Sequence, residues 1–351
     1  LTTGVWALAE MGSLTFEGFT VSNFTENGIV QKRADHAGTE FHVLNNIVIP
    51  YDDYLRNGIQ VSGDGSSVIG NTIYGERLTD DWSSSGIIVV NASNVEVSSN
   101  TVIGGDSGVD IGICIMNSSG TVDTISVTNN TISDAESAIT IAGSSNNISN
   151  VSINGNDLGN GIMGINVQTV TLETVVITNN NFHDNSTLGL RFSETSATVT
   201  GATITDNTFT KNGFQIWGGL DDQIELASVL ASNTFDKAVT IEGGTMVFSS
   251  IQEAIESVGD TIEVADGTYN YESEGVSPES AGMIKVTKPL TIQAADDGND
   301  VRPVIDGTGI DGVFKIWATT FTGGQVIIEG FEITGNGTTD IAITAPMHDS
   351  G

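Results

Sequence analysis

The sequence predicts an all-β fold, a parallel β-helix with three short strands per rung, and three observations predict it. Asparagine recurs every 24 to 30 residues, at Asn46, Asn71, Asn100, Asn130, Asn156, Asn180, Asn207 and Asn233, with Phe19 in the equivalent upstream position. An apolar residue stands three places before each anchor, from Val43 through Val97 and Val127 to Ile204 and Leu230. A small residue followed by apolar, any, apolar completes each unit, as in GIQV from Gly58, GIIV from Gly86, GINV from Gly164, GFQI from Gly213 and AVTI from Ala238.

Alternation with period two marks strands with one buried face, whereas paired helices need apolar positions three and four apart over ten or more residues. Three short strands in about 27 residues fit one triangular rung, in which each strand pairs with its equivalent in the next rung. Asn suits the turn because it tolerates left-handed backbone and bonds neighbouring peptides, and its amide can donate to the amide one rung on. The eight anchors are therefore expected to form a structural ladder, with the third residue of GIQV, GIIV and their equivalents facing outward. Composition agrees: Gly is 42 of 351 residues, Pro only 5 and charged residues 16%, as in short strands joined by tight turns.

The rhythm stops after Lys237. SIQEAIESV then places Ile251, Ala254, Ile255 and Val258 on one helical face, with Ser250 and Glu253 at capping-box spacing, which predicts one short helix near residues 249–258. Farther on, VIIEGFEIT from Val326 repeats LTFEGFTVS from Leu14, with Phe331 opposite Phe19 at an offset of 312 residues. Residues 1–244 thus read as the larger, later part of one β-helix unit, and residues 245–351 as the cap and first rungs of the next, in a tandem period of about 312 residues.

These features resemble the right-handed parallel β-helix superfamily, the pectin-lyase-like fold, along essentially the whole chain. The resemblance supplies the right hand. SIQEAI, GDTIEVADGTY and KPLTIQA are similar to the N-terminal cap and entry strands of such proteins. It also implies two classes of function: a repeat of a large extracellular surface protein, or a polysaccharide lyase, epimerase or glycosidase.

With 11 basic against 44 acidic side chains the formal charge is -33, which repels nucleic acid and anionic lipid and attracts cations. No apolar run reaches membrane-spanning length, and the single Cys114 excludes an internal disulfide. The expected setting is extracellular or cell-surface, the expected partners are neighbouring copies of the same repeat, with carbohydrate under the enzymatic alternative, and no cofactor is required unless it is Ca²⁺.

Catalysis has few candidates. Asp221 and Asp222 supply paired carboxylates, with Arg191 as the cation on an outward strand position. The cluster QKRADHAGTEFH lacks the epimerase form and reads as a solvated turn. Asp296, Asp297, Asn299 and Asp300 offer hard oxygen ligands on a tight turn, as does Asp64, and form the candidate calcium sites. Among the Asn-x-Ser/Thr acceptors, Asn117 and Asn185 are expected to be exposed and open to glycosylation. The leading expectation is a non-catalytic stalk, filament or adhesin repeat assembling end to end.

Overall fold

The computed structural model describes residues 3–7, 12–31, 39–50, 56–75, 84–104, 110–143, 147–168, 170–193, 197–218, 226–244, 246–257, 259–275, 283–295, 301–310, 312–316, 325–335 and 343–344. The chain divides into two compact units, the first comprising Leu1–Asn212 and Trp217–Thr234, the second Gly213–Ile216 and Phe235–Gly351.

In the first unit three parallel sheets run side by side. One carries eight strands in chain order from Thr3–Ala7 to Leu188–Phe192, the second runs from Ser13–Glu17 to Ala197–Thr200, and the third from Thr20–Ser22 to Thr208–Thr210. Every adjacent pair is parallel and in register, so equivalent side chains stack in columns. The inward columns are aliphatic: Ile59, Ile87, Ile113, Ile139 and Ile165 in the first sheet, Val68, Val97, Val127 and Ile153 in the second, Ile73, Val102, Ile132 and Leu158 in the third, all buried. The third column ends in Phe182 and Phe209, stacked with ring centroids 4.5 Å apart. The small residue opening GIIV has a steric cause, because a Cβ on Gly86 would lie 2.8 Å from the carbonyl oxygen of Gly112 in the next rung.

The second unit opens with chain reversals. Val247–Phe248 pairs antiparallel with Phe214–Trp217 and with Val239–Ile241, which in turn runs antiparallel to Thr261–Val264. Parallel stacking then resumes, Thr261–Val264 to Leu290–Ala294 to Val326–Glu329, and Thr268–Asn270 to Val304–Asp306 to Glu332–Thr334. This corrects the expectation for AVTI, which repeats the rung motif but takes antiparallel partners. A strand's alternation fixes which face is buried and is silent on the direction of its neighbour.

Two short helices are present among the described residues: α1, Leu226–Ser232, and α2, Ile251–Glu256. The first was expected as strand, with Leu230 on the inward column. Instead LASVLAS buries Val229, and Ala and Leu at helical spacing outweigh a single β-branched residue. The second lies where its pattern predicts, with Ile251, Ala254 and Ile255 in the core of the second unit beside Val239, Ile262, Ile284 and Ile292. Ser250 is its N-cap, its hydroxyl accepting the Glu253 N–H at 3.0 Å.

Candidate functional site

The feature most fully built by the sequence is the asparagine ladder. The backbone N–H and the side-chain amide of Asn100 both donate to Oδ1 of Asn130, at 2.9 and 3.0 Å, and Asn130 does the same to Asn156 at 2.9 and 2.9 Å. The pattern is unbroken from Asn46 through Asn71, Asn180 and Asn207 to Asn233. Each amide's second hydrogen goes back to a backbone carbonyl of the preceding rung, Asn100 to Val68 and Asn130 to Val97, at residues whose side chains are apolar because they face the core. Below Asn46 the series ends at Phe19, whose N–H donates to Asn46 Oδ1 at 2.9 Å.

The left-handed turn is made one residue earlier than the sequence suggests. Asn45, Ser99, Asn129, Asn179 and Asp206 carry φ between 54 and 59°, and Gly18, Gly70 and Gly155 between 67 and 77°. The anchor after each of the last seven turns is itself buried. In NN pairs the first Asn bends the chain and the second enters the ladder.

The column expected to face outward on the first sheet is in register, Ile88, Cys114, Thr140, Asn166 and Arg191 being successive partners. It is not a solvent face. Ile88, Cys114, Thr140 and Asn166 are buried, and Arg191 is half-buried. Burial pushes the Cys114 thiol up to about 12, so it stays protonated at neutral pH. Thr140 Oγ1 and Asn166 Oδ1 have no hydrogen-bond partner.

Asp221 and Asp222 lie outside the described residues, as do Asp296, Asp297, Asn299 and Asp300. Among the described residues no group of three His, Cys, Asp or Glu is arranged to hold a metal ion. Asp64 reaches to the following rung, its Oδ1 accepting the Ser93 N–H at 2.7 Å. Of QKRADHAGTEFH, Gln31 and Thr39–His42 are described, and His42 bonds Ser67 Oγ at 2.9 Å across the strand pair.

The two glycosylation candidates are corrected. Asn117 and Asn185 are both fully buried, Asn117 donating to the carbonyls of Gly120 and Asn147. Asn185 belongs to a second, shorter ladder, its amide donating to Asn212 Oδ1 at 2.9 Å. For this second ladder the signal was present in the sequence, since Asn185 follows Asn180, and Asn212 follows Asn207, by five residues. Among the described residues the exposed acceptors are Asn23, Asn129, Asn147 and Asn150.

The sequence reading also left a cluster unassembled. His183 pairs with Asp157 at 3.2 Å through one ring nitrogen and Asp184 at 2.9 Å through the other, while Lys211 stands 3.8 Å from Asp184. The imidazole lies over Gly159, its strand partner, where any Cβ would strike the ring. Arg191 lies on the first sheet next to Asn166, whereas His183 lies on the third.

Stacked parallel rungs, aliphatic columns and a buried amide ladder define the class, and the family comparison agrees. The family described as "Right handed beta helix region" matches residues 3–169 and 57–235, and the chain belongs to it. No curated protein matches the chain. Among solved structures, PfbA, a surface adhesin of Streptococcus pneumoniae, is 13% identical with a TM-score of 0.42, over 97% of this chain and 89% of that one. A thermostable GH87 α-1,3-glucanase catalytic unit from Streptomyces thermodiastaticus is 12% identical with a TM-score of 0.37, over 97% of this chain and 65% of that one. An alginate lyase from a Paenibacillus species is 12% identical with a TM-score of 0.30, over 91% and 89%. No helix of the described residues is long and apolar enough to cross a membrane.

Proposed function

We propose that the chain is a non-catalytic structural repeat of an extracellular or cell-surface stalk, filament or adhesin, its partners being neighbouring copies of the same unit. The observation that carries this reading is the uninterrupted ladder from Asn46 to Asn233, in which every rung is tied to the next by a buried amide as well as by backbone pairing. Such a ladder resists shear between rungs and gives a chain of units stiffness. The surplus of 44 acidic over 11 basic side chains keeps neighbouring molecules apart in solution. The test is depolymerisation of pectin, alginate and neutral glucans by purified protein with and without calcium. No released product is expected; turnover abolished by Arg191→Ala or Asp222→Asn would overturn the reading.

A second reading, a carbohydrate-active enzyme, is favoured by His183 held between Asp157 and Asp184, an imidazole positioned by two carboxylates as general acid–base chemistry uses it. Its mark in the same assay is turnover lost in His183→Ala while the melting temperature is unchanged.

A further inference from the structure

One rung occurs twice in this chain, each time with a different neighbour. In the first occurrence Leu14, Phe16 and Val21 pair with Phe41, Val43 and Val48 of the rung that follows. In the second, their counterparts 312 residues on, Val326, Ile328 and Ile333, pair with Leu290, Ile292 and Ile305 of the rung that precedes. The turn between the two strands is the same: Glu17-Gly18-Phe19 with Gly18 at φ 77°, Glu329-Gly330-Phe331 with Gly330 at φ 88°.

The first occurrence is open on its preceding side. Leu14 is 39% exposed and Phe19 55%, and the Phe16 and Phe19 rings stack on each other 4.6 Å apart, an apolar shelf where the equivalent residues of the next rung, Phe41, Val43 and Asn46, are buried. In the second occurrence the corresponding side is covered, and Leu290, Ile292 and Ile305 beneath it are all buried.

Resting on the structural-repeat reading, we infer that the open side of the first rung is the seat for the rung Leu290–Asp306 of a second copy of this chain, joined head to tail at the 312-residue period. Leu14 then lies on Leu290, Phe16 on Ile292 and Val21 on Ile305, continuing three apolar columns through the joint. The polar groups also match. Glu332 donates its N–H to the Pro303 carbonyl at 3.1 Å, and Thr20, its counterpart, donates likewise to Pro303 of the second copy. Pro303 occupies the position below Phe331 and has no N–H to donate, so the amide ladder has nothing to continue into and starts afresh above Phe19. The contact is heterologous, so repeating it adds further copies.

The test doubles the chain at its own period, residues 1–325 running directly into residues 14–351, and compares it with the single chain by hydrogen exchange. In the single chain the Thr20 amide exchanges freely. In the doubled chain the peptide covering residues 14–22 comes from both copies, and it is expected to split into two equal populations, one exchanging as before and one slowed by about 100-fold or more. A single fast population in the doubled chain overturns the inference. Inserting Phe16→Asp in the second copy alone is expected to return the slow population to the fast one while the Asn100 and Asn130 amides stay protected. Slow exchange that survives this change also overturns it. The glycan assay fails independently: turnover there would sink the structural-repeat reading and leave the seat standing, whereas an open joint without turnover would sink the seat alone.

Discussion

At the scale of single residues, the repeated asparagines do two jobs that their type alone does not separate. Asn129 is bent into the left-handed region at φ 55°, while Asn130 is buried and bonded on both sides. Asn130→Ala removes the acceptor of the Asn100 N–H and side-chain amide and the amide donor to the Val97 carbonyl inside the core, and a loss of about 3 kcal/mol is expected in denaturant unfolding of the first unit. Asn129→Ala keeps every ladder bond and places an ordinary side chain at positive φ, for an expected cost of about 1 kcal/mol; Asn129→Gly is expected to cost less than half of that. Equal costs at the two positions would mean that the division of labour is wrong. The ladder was legible in the sequence because spacing and the apolar residue at minus three kept step over eight anchors. The division was not, since the turn position holds Gly, Asn, Ser or Asp and the pattern gives no register beyond "turn here".

At the scale of elements, α2 shows what local pattern can and cannot carry. Its position and Ser250 cap followed from SIQEAI, but the partner of its remaining free amides lies far along the chain. Glu274 accepts the Ile251 N–H at 3.2 Å and the Gln252 N–H at 2.8 Å, satisfying donors that a helix start leaves open. Burial pushes its carboxyl from an ordinary value of 4.5 up to about 7, against the two backbone N–H bonds. Glu253, also raised to about 7 by burial and by the neighbouring Glu274 and Glu256 charges, keeps one buried oxygen without a partner. Between pH 4.5 and 7 the unfolded carboxyl has released a proton that the folded one retains. Stability of the second unit is therefore expected to fall as pH rises through this window, by about 3 kcal/mol at most for Glu274, and to level off above it. Urea unfolding of wild type and Glu274→Gln at pH 4.5, 6 and 7.5 checks this: the difference between the two should shrink or reverse as pH rises, and a constant difference would exclude titration of Glu274 as its source. The same limit explains α1 and the buried Asn117 and Asn185: each reads locally as strand or exposed turn, and each is decided by contacts with a neighbouring rung.

At the scale of the whole molecule, the stacking of parallel rungs was legible because it repeats, and the reversals that open the second unit were not, because they occur once and leave no periodicity. Net charge is a property of the whole chain. A formal charge of -33 over 351 residues sets like charges against one another in both units, and their repulsion reaches about 30 Å at 0.01 M salt but only about 8 Å at 0.15 M. Melting temperature is therefore expected to rise smoothly by several degrees between those salt concentrations, without saturating at low concentration, in NaCl as well as CaCl2. Calorimetry at matched ionic strength separates this screening from a bound ion. Screening gives parallel curves for the two salts up to millimolar concentrations, unchanged by Asp297→Asn beyond the loss of one charge. A rise that is complete at micromolar calcium and vanishes in Asp297→Asn would instead place an ion among Asp296, Asp297, Asn299 and Asp300, because only a preorganised set of hard oxygen ligands outcompetes a diffuse atmosphere at that dilution.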